Sequence, residues 1–262
     1  MKKYLVIGNP INHSLSPKLH NFWIRQNQID AIYDKAKLNP NQLKDLILEV
    51  RNKKIDGINI TVPFKTSIIP YLDQLSTEAE QTKSVNTIYF KNDKVIGHNT
   101  DIDGFEKAIN KINFKVSEKK IFILGAGGVV PSIVYALNKM GAINISISNR
   151  TKAKAENLKS LYNDLKVVNW GEVSNFDMII NATSLGLKKE DKIELDFNKI
   201  GRNKLFYDVI YNPNKTNFLL KGEELGNQIE NGKMMFIYQA QMAFKIWHNI
   251  MPKVHNKLLE ND

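Results

Sequence analysis

The sequence predicts an α/β protein of two domains, and three observations carry that expectation. Short apolar runs rich in β-branched residues alternate with longer helical patterns over the 262 residues, the arrangement of parallel strands joined by helices. The alternation runs as two series, with the boundary near Asp101–Gly104. A last helical pattern, from about Met234 to Ile250, follows the second series, and its place implies a return to the first domain that leaves a cleft between the two. The expected domains are residues 1–101 with 236–262, and residues 102–235.

In order, the first series reads as strand Tyr4–Ile7, helix Pro17–Gln28, strand Ala31–Ala36, helix Asn41–Arg51 and strand Gly57–Ile60. Two short strands follow at Thr87–Phe90 and Lys94–Gly97. The second series reads as strand Ile121–Leu124, helix Gly128–Met140, strand Asn144–Ser148, helix Lys152–Leu165, and strands Met178–Asn181 and Leu205–Val209. There is no internal repeat and no low-complexity segment.

Composition narrows the function classes. The chain is long enough for one large core or two modest ones. No apolar run approaches the ~18 residues that cross a bilayer. The start, Met1 to Gly8, is basic and then apolar like a secretion signal, but it runs at once into a Gly8-Asn9-Pro10 turn and reads as a first strand. The absence of cysteine removes disulfides, thiolate metal sites and cysteine nucleophiles together, and a cytoplasmic protein fits. The net charge of +10 admits nucleic acid or small anions as partners. The lysines are dispersed and form no arginine-rich tract, which favours a solvated surface with some role for small anions over nucleic acid. The five histidines show no ligand spacing, so no metal is expected. His13 and His98 read as supporting residues within motifs, and His20, His248 and His255 as helix-face residues.

One motif points to a nucleotide. Ile121 to Gly128 is an apolar strand feeding the turn Gly125-Ala126-Gly127-Gly128 and then a helix. Glycines let the backbone approach a pyrophosphate, and a helix N-terminus offers N–H groups and partial positive charge. Glycines also end strands for steric reasons alone. Val130 stands where a third fingerprint glycine would be, which implies a helix slightly farther from its sheet. About twenty residues on, the next strand ends in Asn149-Arg150-Thr151, where an acidic residue would bind a ribose hydroxyl but an arginine suits a 2′-phosphate. Lys154 adds charge one turn later, and NADP is the expected cofactor.

The first domain gathers polar residues. Ser16 before Pro17 reads as a helix N-cap, and Ser14 adds a second hydroxyl near the same helix start, a natural carboxylate site. Asn59 and Thr61 share one face of a strand, at its C-terminal end. Lys65 follows on the next turn and, read alone, is a surface lysine. Ser84-Val85-Asn86-Thr87 and Gly97-His98-Asn99-Thr100-Asp101 supply further amides, hydroxyls and a carboxylate, and Asn99 to Asp101 could simply cap the helix beyond.

Together these segments resemble the shikimate dehydrogenase family. The matching pieces are Gly8 to Ile11 with His13 to Pro17, Asn59 to Lys65, Val85 to Thr87, Gly97 to Asp101, and Gly125 to Gly128. They continue with Asn149 to Thr151, Asn181 to Leu187, Asp208 to Pro213, and Gln239-Ala240 with Ala243, Phe244 and Trp247. They follow the family's order over nearly the whole chain. Gly232 to Met235 lacks the second glycine of a family segment, and Val129-Val130-Pro131 replaces small residues. The resemblance implies an N-terminal α/β substrate domain completed by the C-terminal helix, and a Rossmann-like NADP domain. It implies NADPH-dependent reduction of 3-dehydroshikimate to shikimate, a step of aromatic amino acid biosynthesis. Lys65 and Asp101 would be the catalytic pair. Ser14 and Ser16 would hold the substrate carboxylate, and Thr61, Asn86, Asp101 and Gln239 the ring hydroxyls, with Asn59 and Tyr211 nearby. Gly125, Ala126, Gly127, Gly128 and Val129, with Asn149, Arg150, Thr151 and Lys154, would hold the cofactor phosphates and ribose. Val209 and Gly232 would lie beside the nicotinamide. The expected partner is this small substrate, on a monomer or homodimer, with no nucleic acid or membrane. Broader quinate/shikimate use, or a non-catalytic NADP-binding role, are the competing expectations.

Overall fold

The structure is a computed structural model that describes residues 1–197 and 200–254; His255 and the rest of 255–262 lie outside the described residues. The chain divides into two compact units, Met1–Gly104 with Ile237–Asp262, and Phe105–Phe236.

The first unit begins with β1 (Lys2–Gly8), α1 (Ser16–Gln26), β2 (Ala31–Lys37), α2 (Leu43–Arg51) and β3 (Gly57–Ile60). It continues with β4 (Gln74–Leu75), α3 (Thr77–Thr82), β5 (Thr87–Lys91) and β6 (Lys94–His98). Its sheet has the order β2-β1-β3-β5-β6-β4. The parallel pairing expected for β1, β2 and β3 is present, but β5 runs antiparallel to both β3 and β6, so the sheet is mixed. The reason is local. Asn92 and Asp93 join β5 to β6 with φ of 50° and 58°, the left-handed pair that closes a tight hairpin.

Helix α1 buries Leu19, His20, Trp23 and Ile24, spaced as one helical face requires. Ser16 is not its N-cap, as the sequence had implied. Leu15 holds that position, Ser16 is the first helical residue, and Ser14 Oγ accepts the Ser16 N–H at 3.4 Å. Proline tolerates either of the first two helical positions, so Pro17 did not fix the boundary. Helix α2 buries Leu43, Leu46, Ile47 and Val50 against Ile58, Ile60, Ile88 and Val95 of the sheet.

Helix α4 (Asp101–Lys111) carries the division between units. The second unit then contains β7 (Lys120–Leu124), α5 (Val130–Lys139), β8 (Asn144–Ser148), α6 (Lys152–Asn157), β9 (Lys166–Val168) and β10 (Met178–Asn181). It ends with β11 (Leu205–Asp208), α7 (Asn217–Glu224) and β12 (Gln228–Asn231). The last helix, α8 (Lys233–His248), carries the second division. The sheet order is β12-β11-β10-β7-β8-β9, with every pairing parallel. The strand order reverses beside β7, the place where such sheets open a crevice beyond the strands' C-terminal ends. Helix α6 is shorter than the expected Lys152–Leu165. It passes into a 3-10 turn at Leu158–Ser160, and Asn157, Asn163 and Asp164 are residues that favour turns over helix. Val130 is fully buried in this unit, so a side chain fills the place a fingerprint glycine would leave open.

Candidate active site

The polar centre of the first unit is built on β3, β5 and the start of α4. Lys65 Nζ lies 2.6 Å from Asp101 Oδ2, with side-chain exposures of 11% and 8%. Those exposures overturn the surface reading of Lys65. The turn that carries it is pinned by a bond from Val85 N–H to its carbonyl at 2.9 Å. Asp101 is oriented from two sides. Its own N–H donates to Asn99 Oδ1 at 3.1 Å, and Asn86 Nδ2 donates to its Oδ1 at 2.9 Å.

Asn86 is the hub. Its Nδ2 also lies 3.0 Å from Thr100 Oγ1 and 3.4 Å from Gln239 Oε1 on α8. Its Oδ1 accepts from Thr100 N at 2.8 Å and from Thr87 Oγ1 at 3.0 Å. Lys65, Asp101, Asn86 and Gln239 are therefore assembled together. Asn59 is buried and its amide is occupied by protein. Its Nδ2 donates to Asn86 O and to Thr87 Oγ1, both at 3.1 Å, and its Oδ1 accepts from Tyr33 Oη at 2.7 Å. That bonding makes it a brace for Asn86. Thr61 is half-buried just past β3, and its N–H donates to Ile7 O at 2.9 Å. Ser14 is half-buried and Ser16 buried at the start of α1.

Two groups in this unit are buried without charge. Tyr33 has its phenol pushed well above the ordinary value by burial. His20 stacks on it, ring centroids 4.2 Å apart and planes within 3°. Burial, with His248 nearby, pushes His20 down to about 3, so the imidazole is neutral.

The second unit presents the nucleotide elements. Gly125 ends β7 at φ 105°, and a Cβ there would meet Ala182 O at 2.8 Å, so only glycine fits this turn. Gly127 is exposed, with nothing nearer than 3.8 Å to such an atom, and Val129 is the N-cap of α5. Of Gly125 to Val129 only Gly127 is exposed, and its backbone is open at the N-terminus of α5, a place that suits a phosphate. Asn149 Oδ1 accepts from Ala126 N at 3.1 Å while its Nδ2 donates to Thr151 O at 2.8 Å. One side chain thus clamps the glycine turn to the turn bearing Arg150. Arg150, Thr151 and Lys154 are exposed there. At the end of β11, Val209 N–H donates to Asn181 O at 2.9 Å, and a Cβ on Gly232 would run into the Val209 carbonyl. Tyr211 belongs to this unit, stacked on Phe236 with centroids 4.7 Å apart.

Sequence reasoning gave no role to Tyr33, and named Asp208 only within a motif. Asp208 is fully buried, and accepts from Asn181 Nδ2 at 3.1 Å, Ile210 N at 2.9 Å and Thr216 Oγ1 at 2.6 Å. Burial raises its carboxyl to about 6 despite those bonds. Its signal in the sequence was an acidic residue closing an otherwise apolar strand.

Comparisons with known proteins identify the family. The family description "shikimate dehydrogenase substrate binding domain" matches residues 6–88, and "shikimate / quinate 5-dehydrogenase" matches residues 106–209. The chain belongs to the shikimate dehydrogenase family. A family member from Pelagibacter ubique, named shikimate dehydrogenase (NADP(+)), is 55% identical over 98% of this chain and 97% of its own. The shikimate 5-dehydrogenase of Listeria monocytogenes, solved with shikimate and NAD, superposes with a TM-score of 0.91 at 30% identity, covering 99% of this chain and 96% of that one. The Thermus thermophilus enzyme, solved with NADP(H) and shikimate, gives 0.89 at 28% identity, covering 97% and 95%. Among the described residues of this family member no cluster of His, Cys, Asp or Glu could hold a metal, and no helix is long and apolar enough to cross a membrane.

Proposed function

We infer that this chain catalyses the NADP-linked interconversion of 3-dehydroshikimate and shikimate, with Lys65 moving the proton. The observation that carries the reading is the buried Lys65–Asp101 contact at 2.6 Å, in a chain 55% identical to a shikimate dehydrogenase (NADP(+)). The substrate is a small molecule of aromatic amino acid biosynthesis. We place the protein in the cytoplasm, as a monomer or homodimer.

When bound, NADPH supplies the hydride that reduces the ring ketone. Reduction leaves an oxygen that needs a proton. Lys65, held as an ion pair with Asp101 at 2.6 Å, would give its ammonium proton in the reduction direction. Asp101 holds that ammonium in place and offers its other oxygen to a substrate hydroxyl, while Asn86 and Gln239 take further hydroxyls. Ser14 and Ser16, beside the start of α1, receive the carboxylate, with Thr61 and Tyr211 completing the substrate contacts. Gly125, Ala126, Gly127, Gly128 and Val129 would hold the pyrophosphate. Arg150, Thr151 and Lys154 would hold the 2′-phosphate, with Asn149 fixing both turns, and Val209 and Gly232 would flank the nicotinamide.

The test is steady-state oxidation of shikimate with NADP⁺ and NAD⁺ side by side, and quinate as second substrate. Turnover of shikimate with NADP⁺ alone is expected. Comparable rates with quinate or NAD⁺ would move the chain to broader-specificity relatives, and no turnover would sink the reading.

A further inference from the structure

Lys65 and Asp101 are 36 residues apart in the chain, and one short stretch, Thr82 to Asn86, holds both. We propose that Thr82 and Asn99 are positioning residues for the proton transfer: the Thr82 hydroxyl anchors the Asn99 amide, and that amide sets where Asp101 meets Lys65. The proposal rests on the functional reading given above.

The stretch joins α3 to β5. Thr82 is the last residue of α3, and Lys83 ends that helix in the left-handed region at φ 48°. On the Lys65 side, Val85 N–H donates to Lys65 O at 2.9 Å, and Thr66 Oγ1 donates to Lys83 O at 3.3 Å. On the Asp101 side, Asn86 Nδ2 donates to Asp101 Oδ1 at 2.9 Å, and Asn99 Nδ2 donates to Thr82 Oγ1 at 2.9 Å. Asn99 Oδ1 in turn accepts from Asp101 N at 3.1 Å. The ammonium and the carboxylate therefore take their places from the same piece of chain.

The direction of each bond follows from its partners. A backbone N–H only donates, so Asn99 must turn Oδ1 to Asp101 N and Nδ2 to Thr82. The Thr82 hydroxyl has one proton, and both carbonyls in its reach, Glu78 O at 2.7 Å and Ser84 O at 3.5 Å, only accept. Thr82 thus gives its proton to its own helix and accepts from Asn99.

Thr82 and Asn99 are both buried at 0% exposure, whereas Asp101 keeps 6%. They reach the reaction through Asp101. Two amides hold that residue at different atoms: Asn86 takes the carboxylate, and Asn99 takes the backbone. Loosening the second leaves a carboxylate that still binds a hydroxyl but shifts from Lys65, so turnover suffers before binding.

The test is Thr82→Val, which keeps the shape and removes the hydroxyl, assayed as the intact chain with shikimate and NADP⁺, alone and combined with Asp101→Asn. The expected result is a kcat lowered about tenfold, with KM for shikimate within about threefold. In the Asp101→Asn background the same change should cost less than about twofold, because the carboxylate being placed is gone. Thr82→Ser, which keeps the hydroxyl, should stay within about twofold of the parent. A parental kcat in Thr82→Val, an equal fall in both backgrounds, or a serine variant as slow as the valine variant would overturn the proposal; the equal fall is what a merely structural threonine gives. Should Thr82→Val fail to fold, Thr82→Cys takes its place with the same expectations, since a thiol is a weak acceptor. Absence of parental turnover with shikimate, or full turnover in Asp101→Asn alone, would instead overturn the functional reading, and this inference with it.

Discussion

Among the described residues each unit buries one carboxylate, and the two are treated differently. Asp101 has an ammonium ion 2.6 Å away and is 6% exposed, a charged pair at the edge of solvent. Asp208 is fully buried and, among the described residues, is held by neutral donors alone: Asn181, Ile210 N–H and Thr216. The first arrangement is an ion pair of two side chains that meet from separate parts of the first unit. The second fastens a turn, since the same oxygens grip Ile210 and the N-cap of α7 at Thr216. A carboxylate without a counter-ion resists ionisation, which is why Asp208 is raised to about 6.

Neutralising each carboxylate separates the two roles. Asp101→Asn keeps the shape but removes the charge that holds Lys65, and kcat should fall on the order of 10³-fold; a loss under about tenfold would mean the pair is structural.

His20 extends the contrast to a buried base. Its folded value, about 3, lies below the ordinary 6.5, so the unfolded chain binds the extra proton first as pH falls. The stability that neutral His20 allows is therefore complete above pH 6.5 and is lost as pH drops towards 3. Urea unfolding at pH 7 and pH 4 should show His20→Phe sparing the protein roughly 3 kcal/mol of acid loss, and an identical loss in parent and variant would contradict it.

Asp208 has the opposite sign. Its folded value, about 6, lies above 3.8, so the folded state holds its proton longer, and this favours folding at acid pH. That advantage fades as pH rises from 3.8 to about 6. Asp208→Asn should remove the fade, gaining about 2 kcal/mol relative to the parent between pH 4 and pH 7, with kcat less affected than in Asp101→Asn. A larger kcat loss here than there would break the comparison. The smallest effect belongs to the exposed turn of the second unit: Arg150→Ala should raise KM for NADP⁺ roughly tenfold and leave NAD⁺ kinetics unchanged, and equal changes for both would remove its phosphate role.

The elements that periodicity marked clearly were legible. Strands Gly57–Ile60 and Asn144–Ser148 place isoleucine at alternate positions, Met178–Asn181 is a short apolar run, and all three stand where the sequence placed them. Strand β4, of two residues, and β12, whose Gln228–Asn231 carries one apolar side chain, have no pattern to read; pairing with neighbours creates them. Helix α7 was missed because Lys221, Gly222, Glu223 and Glu224 dilute its apolar face. At the site, Lys65 and Asp101 are 36 residues apart and meet only through the fold. Their pairing came from family resemblance, since a lone lysine after a proline turn carries no such signal. Tyr33 read as one more strand aromatic, because nothing local shows what its hydroxyl reaches.

The central claim is that Lys65 moves the proton. It is tested most directly by kcat of Lys65→Ala at saturating shikimate and NADP⁺, with shikimate affinity measured by calorimetry on the same protein. A fall in kcat on the order of 10³-fold, with affinity kept within about fivefold, is the predicted result. Near-parental kcat would contradict it.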